Sequence, residues 1–323
     1  MLDMLGVAAV LAGGAPVDDP RGKGVEGTDF VALRASEIEC VIGNNKSNGE
    51  HGAGYNGIFR LTRLGSDRNA YVPAYAGVNL EHYFDTKATN RESKHLFEPR
   101  HAAMHLRRLG DRAGELHQPP TPIHQVESWT RFELRDPHYI DVQFRCRPRA
   151  AVFSDNVLGV FWASYMNAPE DKSMYFLGPG ATLDKPKWLQ LCTQHHDHFS
   201  TVRRVDDALA ITFGDAPQML YNQMSPLRFS RPFFYGRVGE MVLICIFEDS
   251  PYLRLAHSPS GGGGTPDGTD TCPAWDFQLV IPDVKVDAEY GLRLRLVYKP
   301  WVSRADVLDE VRRFEEASAA GAR

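Results

Sequence analysis

The sequence predicts an all-β fold, a large antiparallel sandwich with a short C-terminal helix, and three observations predict it. Short alternating runs recur from Glu37 onward between clusters of Gly, Pro, Asn and Asp. Helical periodicity is nearly absent between those runs, and the last clear pattern in the chain is an amphipathic helix. With 323 residues, 43% of them hydrophobic, the chain can bury a proper core without disulfide or metal staples.

Residues 1–30 read as a Gly/Pro-rich leader, ahead of a single β-sandwich domain over 31–323. The opening "MLDMLGVAAVLAGGAP" is a short apolar run ending in small residues, but it carries Asp3 and no Lys or Arg, and it is too short to span a bilayer. A true leader would send the protein to a secreted or periplasmic location; without one it stays cytoplasmic. "EIECVIG" and "GIFRLTRL" follow as strands. Between them "VIGNNKSNGEHGAGYNG" is a long turn region, and if it builds a pocket at the sandwich end, Asn45, His51, Tyr55 and Asn56 reach the ligand.

"AGVNLEHYFD" is the next strand. Strict alternation puts Val78, Leu80, His82 and Phe84 on one face and Asn79, Glu81, Tyr83 and Asp85 on the other. "EPRHAAMHLRR", about residues 98–108, reads as a short helix. "WTRFELRD", "YIDVQFRCRP", "VLGVFWASYM", "KSMYFLG", "LAITFG", "EMVLICIFED", "FQLVIP" and "YGLRLRLVYK" read as strands. In the second of these Ile140, Val142, Phe144 and Cys146 oppose Asp141, Gln143, Arg145 and Arg147; in the last Leu292, Leu294, Leu296 and Tyr298 share a face, as half-buried antiparallel strands require. "SPSGGGGTPDGTDTCP" is a loop without the Gly-Lys-Ser/Thr ending of a phosphate loop, and its Asp267 and Asp270 read as solvated in preference to calcium ligands. The chain closes on "ADVLDEVRRFEEA", capped by Ser303 or Asp306, with Val307, Leu308, Val311 and Phe314 as its apolar stripe.

A formal charge of -5 excludes a dedicated nucleic-acid binder, which needs a surplus of Lys and Arg. Five cysteines without CxxC spacing exclude a disulfide framework and a zinc ribbon, and no transmembrane span is present. What stands out is aromatic residues mixed with planar polar ones. Aromatic faces pack on the C–H patches of sugars, and carboxylates, amides and guanidinium groups grip their hydroxyls. The candidate partner is therefore a carbohydrate. Candidate ligand-binding residues are Asn79, Tyr83, Trp162, Tyr165, Asn167, Asp171, Arg231, Tyr235, Trp275 and Asp276.

"VNLEHYF" resembles the "VNLTNHTYF" segment of galactose mutarotases (aldose 1-epimerases). The resemblance implies their two-layer supersandwich, also found in polysaccharide lyases and glycosidase domains, and activity on sugars. Two departures stand beside it. The segment falls near residue 80 and not at mid-chain, and it is shorter, so strict alternation separates His82 from Asn79; His82 matches the family's proton-donating histidine only if a bulge or strand end intervenes.

Ring opening or elimination across a uronate needs a base and an acid on facing sides of the substrate. Candidates for catalysis are His82, His196, His198, Glu81 and Glu248. "HHDHF" is the densest titratable cluster; on a strand His196 and His198 would share a face, so the alternative to a cofactor-free site is a divalent metal held at His195–His198. The function expected is an epimerase- or lyase-type enzyme on a hexose or uronic-acid glycan, and the alternative is a noncatalytic glycan-binding or structural sandwich.

Overall fold

The structure is a computed structural model that describes residues 25–87, 93–209, 211–213 and 219–321. Ten strands form the larger sheet, in the order β1 (Val25–Thr28), β6 (His105–Arg108), β7 (Ala113–Gln118), β8 (Val126–Arg135), β9 (Tyr139–Pro148), β19 (Tyr290–Pro300), β16 (Met241–Phe247), β15 (Phe233–Val238), β11 (Met174–Leu177) and β12 (Trp188–Leu191). Six form the second, in the order β14 (Met224–Phe229), β13 (Thr201–Arg204), β17 (Leu253–Ser258), β18 (Ala274–Ile281), β10 (Leu158–Ala163) and β5 (Asn79–Phe84). A smaller sheet of β2 (Phe30–Arg34), β3 (Ile38–Gly43) and β4 (Gly57–Arg63) completes the β structure. Pairing is antiparallel throughout except between β13 and β14.

Alternation in the sequence becomes alternation of burial. Along β8 and β9 every second side chain is buried, with Ile140, Val142, Phe144 and Cys146 pointing inward as expected. The two large sheets meet face to face over one apolar core, where Phe144 meets Trp162 edge to face at 4.7 Å and Phe247 meets Phe277 at 4.9 Å. Strands covered on both faces lose the alternation: β16 is buried along nearly its whole length because a helix packs on its far side.

That helix is α3 (Arg304–Gly321). Its Val307, Leu308 and Val311 pack on Val242, Ile244 and Ile246, and Ser303 Oγ accepts the Asp306 N–H at 3.2 Å, so of the two expected caps Ser303 serves. The expected helix over residues 98–108 is corrected. It resolves into the single turn α2 (Glu98–His101), which follows the short helix α1 (Ser93–Leu96), and strand β6, because β1 and β7 pair with the His105–Arg108 backbone from both sides. The run "LAITFG" is also corrected: residues 211–213 make no strand, and positions 210 and 214 lie outside the described residues. Residues 1–24 of the expected leader lie outside them too, and the β structure begins at Val25. No helix among the described residues is long and apolar enough to cross a membrane.

Under α3 the Glu310 carboxylate is buried and accepts from Lys299 Nζ at 2.8 Å and from Tyr139 Oη at 3.0 Å, with Arg313 at 2.8 Å. Burial works against its charge, but His138 and Lys299 outweigh it and hold the carboxyl well below the usual 4.5. A depressed acid contributes stability above its unfolded value and loses it as pH falls. Glu310→Gln should therefore cost about 3 kcal/mol at pH 7, and the gap to the native chain should narrow as pH drops below 4.5, read from denaturant unfolding across pH.

Candidate functional site

The site is built at the start of β5. Gly57, at φ +94°, turns β4 so closely past this strand that a Cβ there would sit 2.6 Å from the Gly77 carbonyl oxygen, and the Ile58 N–H donates to that oxygen at 2.8 Å. Val78 is held at φ +51°, a strained conformation for a β-branched residue, with its N–H donated to Ser164 Oγ at 3.0 Å. Because β5 is the sheet's last strand, its outer backbone groups need other partners. Asn56 supplies them, its amide taking the Leu80 N–H and giving to the Leu80 carbonyl, each at 3.0 Å.

One residue later the register breaks. Phe161 of β10 pairs with His82 and Trp162 pairs with Leu80, so Glu81 is an extra residue in β5. This β-bulge corrects the strict alternation. Leu80 and Tyr83 enter the core, whereas Asn79, Glu81, His82 and Phe84 all belong to the opposite face, which loops and the short helices cover.

On that face Glu81 is the hub. Its carboxylate receives the Tyr165 hydroxyl and Arg100 Nη1 at 3.0 Å. Arg100 comes from α2, which buried Glu98 anchors by accepting the His124 N–H at 2.9 Å and the His124 ring at 2.6 Å. The guanidinium also lies 3.9 Å over the Tyr55 ring, and Tyr55, Tyr75 and Tyr165 pack within 5.6 Å of one another. His82 donates Nδ1–H to the Leu96 carbonyl at 2.6 Å, which leaves Nε2 as the basic nitrogen, 3.7 Å from Glu81 Oε2. Burial holds this imidazole below its usual 6.5, against the pull of Glu81.

Asp276 completes the group. On β18 the parity of "AWDFQ" turns Trp275 and Phe277 to the core and Asp276 and Gln278 to the Glu81 face. Asp276 Oδ1 accepts the Ser164 N–H at 3.0 Å, and Oδ2 is buried with no hydrogen-bond partner. Burial, with the nearby Glu81 charge adding to it, raises this carboxyl well above 3.8. The site thus holds one carboxyl group paired with Arg100 and, close to it, a second that burial pushes toward its protonated form. Two carboxyl groups in such different surroundings are a basis for acid–base chemistry.

Of the expected residues, Glu81, His82, Asn79, Tyr165 and Asp276 come together. The others do not. Tyr83 is buried between the sheets with its hydroxyl on Ser128 at 3.1 Å, Trp162 stacks on Phe277 at 5.0 Å within the core, and Trp275 is a core residue whose indole N–H reaches the Lys172 carbonyl at 2.8 Å. Asn167 ties a loop to the Asn69 carbonyl at 3.1 Å. Asp171 accepts from Tyr175 at 2.8 Å and lines a separate cavity of about 580 Å³ with Arg68, Glu170 and Arg237. Tyr235 lies under α3, bonded by Arg304 at 2.9 Å, and Arg231 pairs with Glu315 at 3.4 Å. Glu248 is engaged by Arg293 at 2.9 Å, on another sheet.

The "HHDHF" expectation is corrected as well. Residues 195–199 form turns with Asp197 and Phe199 at positive φ, so His196 and His198 do not share a strand face; His196 instead bonds Ser258 at 2.8 Å while His198 lies 4.3 Å from Phe199. Among the described residues no three His, Cys, Asp or Glu side chains are placed to hold a metal. Of the turn-region candidates, Tyr55 and Asn56 reach the site, Asn45 bonds Asn56 at 3.1 Å, and His51 stacks on Phe59. Arg100 and Tyr75 were hidden from a sequence reading, the first inside the expected helix.

A carboxyl whose folded value is raised weakens folding as pH climbs past its unfolded value. Asp276→Asn should accordingly be more stable than the native chain at pH 7, with the difference vanishing below pH 3.8. Thermal unfolding of both proteins across pH measures it.

Among solved structures the chain is similar to a candidate aldose 1-epimerase from Escherichia coli K12, at 9% identity over 85% of this chain and 100% of that one, with a TM-score of 0.47. It is also similar to a galactose mutarotase-like protein from Lactobacillus casei, at 7% identity over 84% and 100% with a TM-score of 0.45, and to galactose 1-epimerase from Lactobacillus acidophilus, at 9% over 86% and 100% with a TM-score of 0.39. No protein-family model and no curated protein matches the sequence. These likenesses to galactose mutarotase-like proteins are weak, and the chemistry has to be argued from the residues.

Proposed function

We propose that the protein acts on carbohydrate, as an epimerase- or lyase-type enzyme on a hexose or uronic-acid glycan, at the face carrying Glu81, His82, Tyr165 and Asp276. The observation that carries this reading is the bulge at Glu81, which turns the carboxylate and His82 to one side together and sets them near Asp276, whose carboxyl burial pushes up. In this reading Glu81 is the base. It takes a proton from a sugar hydroxyl or carbon while Asp276 gives one to the departing ring or bridging oxygen; Glu81 then passes its proton through His82 Nε2 to water and Asp276 regains one from water, which restores the starting state. Arg100 pairs with Glu81 and holds it in place, and half-buried Tyr55 and Tyr75 swing aside to stack on the sugar.

The burial of Glu81 and Asp276, 5% and 1% exposed, favours the second reading, a noncatalytic glycan-binding or structural sandwich. A panel of mono-, oligo- and polysaccharides separates the two, followed by reducing ends, unsaturated-uronate absorbance, polarimetry and thermal shift. The enzyme reading expects product or epimerisation on at least one sugar. It also expects Glu81→Gln and His82→Gln each to slow turnover by about two to four powers of ten with unchanged circular dichroism. A thermal shift with no turnover by any of the three readouts would establish the binding domain instead.

A further inference from the structure

The row of side chains that contains His82 continues across the whole second sheet. His82 pairs with Phe161, Phe161 with Gln278, Gln278 with Arg254, Arg254 with Arg203 and Arg203 with Arg228, so all lie on the loop-covered face in one cross-strand line from β5 to β14. Its far end is three arginines side by side. Like charges directly opposite one another on a sheet destabilise it.

Their compensation is incomplete. Arg254 is 2% exposed and pairs through Nε with equally buried Asp207 at 2.8 Å, but its Nη1 is buried without a hydrogen-bond partner. Arg203 Nε is likewise buried and unpartnered, and Arg228 spends Nη1 on two backbone carbonyls, of Ser225 and Leu227, at 2.8 and 2.9 Å. Among the described residues Asp207 is the one carboxylate paired with this group, which leaves three positive charges against one negative. Arg203 and Arg254 act on Arg228 as unfavourable neighbours, and burial lowers both Arg228 and Arg254 from the ordinary arginine value. Packing alone gives no reason to gather these guanidiniums. A bound anion would satisfy the free N–H donors and the charge at once.

We infer that Arg203, Arg228 and Arg254 form a subsite for an anionic oxygen group, a carboxylate or a sulfate, carried by the glycan bound at the Glu81 face. The sugar part of this inference rests on the carbohydrate reading; the anion part stands without it. Arg254 lies one strand over and two residues along from Asp276, about 8 Å by the spacings of a sheet, and about 14 Å from His82. A short acidic oligosaccharide can therefore place its reacting ring over Asp276 and Glu81 and its charged group on the arginines.

The test uses the full chain and Arg203→Gln/Arg228→Gln, which spares the buried Arg254–Asp207 pair. The probes are sodium sulfate, an oligogalacturonate, a sulfated disaccharide and a neutral glucan oligosaccharide, followed by thermal shift and calorimetric titration at constant ionic strength. The native chain should be stabilised by one or more anionic probes and not by the neutral one, with affinity at least about tenfold weaker in the double variant. Without ligand the variant should melt no lower than the native chain, because it sheds mutual repulsion. Preference for oligogalacturonate assigns the subsite to carboxylate, and preference for the sulfated disaccharide assigns it to sulfate. Equal affinity in both proteins, no response to any anion, or a variant that melts lower and binds unchanged would each overturn the subsite. Loss of anion binding in the double variant alongside unaffected turnover in Glu81→Gln would keep the subsite and remove the catalytic reading.

Discussion

One extra residue in β5 decides what the second sheet presents to its covering loops. Without the bulge Glu81 and His82 would point in opposite directions, and one of them would have to enter the apolar layer between the sheets. A bare carboxylate or imidazolium there is prohibitively costly. With the bulge, Leu80 and Tyr83 fill the core and both titratable groups turn outward together. The conformation is held from three sides: the Gly57–Gly77 approach, the Ser164 hydroxyl on the Val78 N–H, and the Asn56 amide that replaces a missing strand along Leu80.

The two faces of this sheet follow opposite rules. Toward the larger sheet it is aromatic and aliphatic, with Trp162, Phe277 and Leu279 packed as a close core. Toward the loops it buries Asn79, Asp276, Gln278 and Arg254, and each of these carries an atom without a hydrogen-bond partner. Buried polar groups are ordinarily satisfied, and each exception costs stability. Their concentration along one face, in line with the bulge, separates this surface from the satisfied ion pairs elsewhere, such as Arg295–Asp141 and Arg149–Glu127.

Much of the architecture was legible because period two is hard to counterfeit: β8, β9 and β19 bury the residues their alternation marks, and α3 buries its stripe. Trp275 and Asp276, taken together as ligand-binding candidates, are separated by the same parity, since a polar residue between two core aromatics can only face the other way. What could not be read was anything that depends on breaking parity or on distant pairing. A bulge adds a residue with no mark in composition, so "NLEHYF" reads as an unbroken strand. The turn "EPRH" runs into a strand whose identity depends on β1 and β7, which hid Arg100. In "HHDHF" the density of histidine suggested a site, but the chain turns there, so that His196 leaves to bond Ser258 while His195 and His198 meet edge to face at 6.3 Å. The arginine row is invisible for the same reason, because Arg203, Arg228 and Arg254 meet only through the pairing of three strands.

These features bear on one another energetically. Burying Asp276, holding Val78 at positive φ and crowding three guanidiniums all oppose folding, and the large apolar layer on the other side of the same strands is what sustains them. A sandwich selected for stability alone would have placed apolar residues at these positions, since their neighbours Ala163, Ala256 and Phe161 already are apolar. Strain spread at random would mean little. Here the costly groups occupy adjacent positions on one face, and they divide by chemistry: the carboxyl and imidazole groups sit toward the β5 end and the guanidiniums at the β14 end. A ligand that engaged both ends would relieve the repulsion at one while meeting the carboxyl and imidazole groups at the other, so that on the proposed reading binding energy gained at the arginines is available to open the aromatic cover over Glu81.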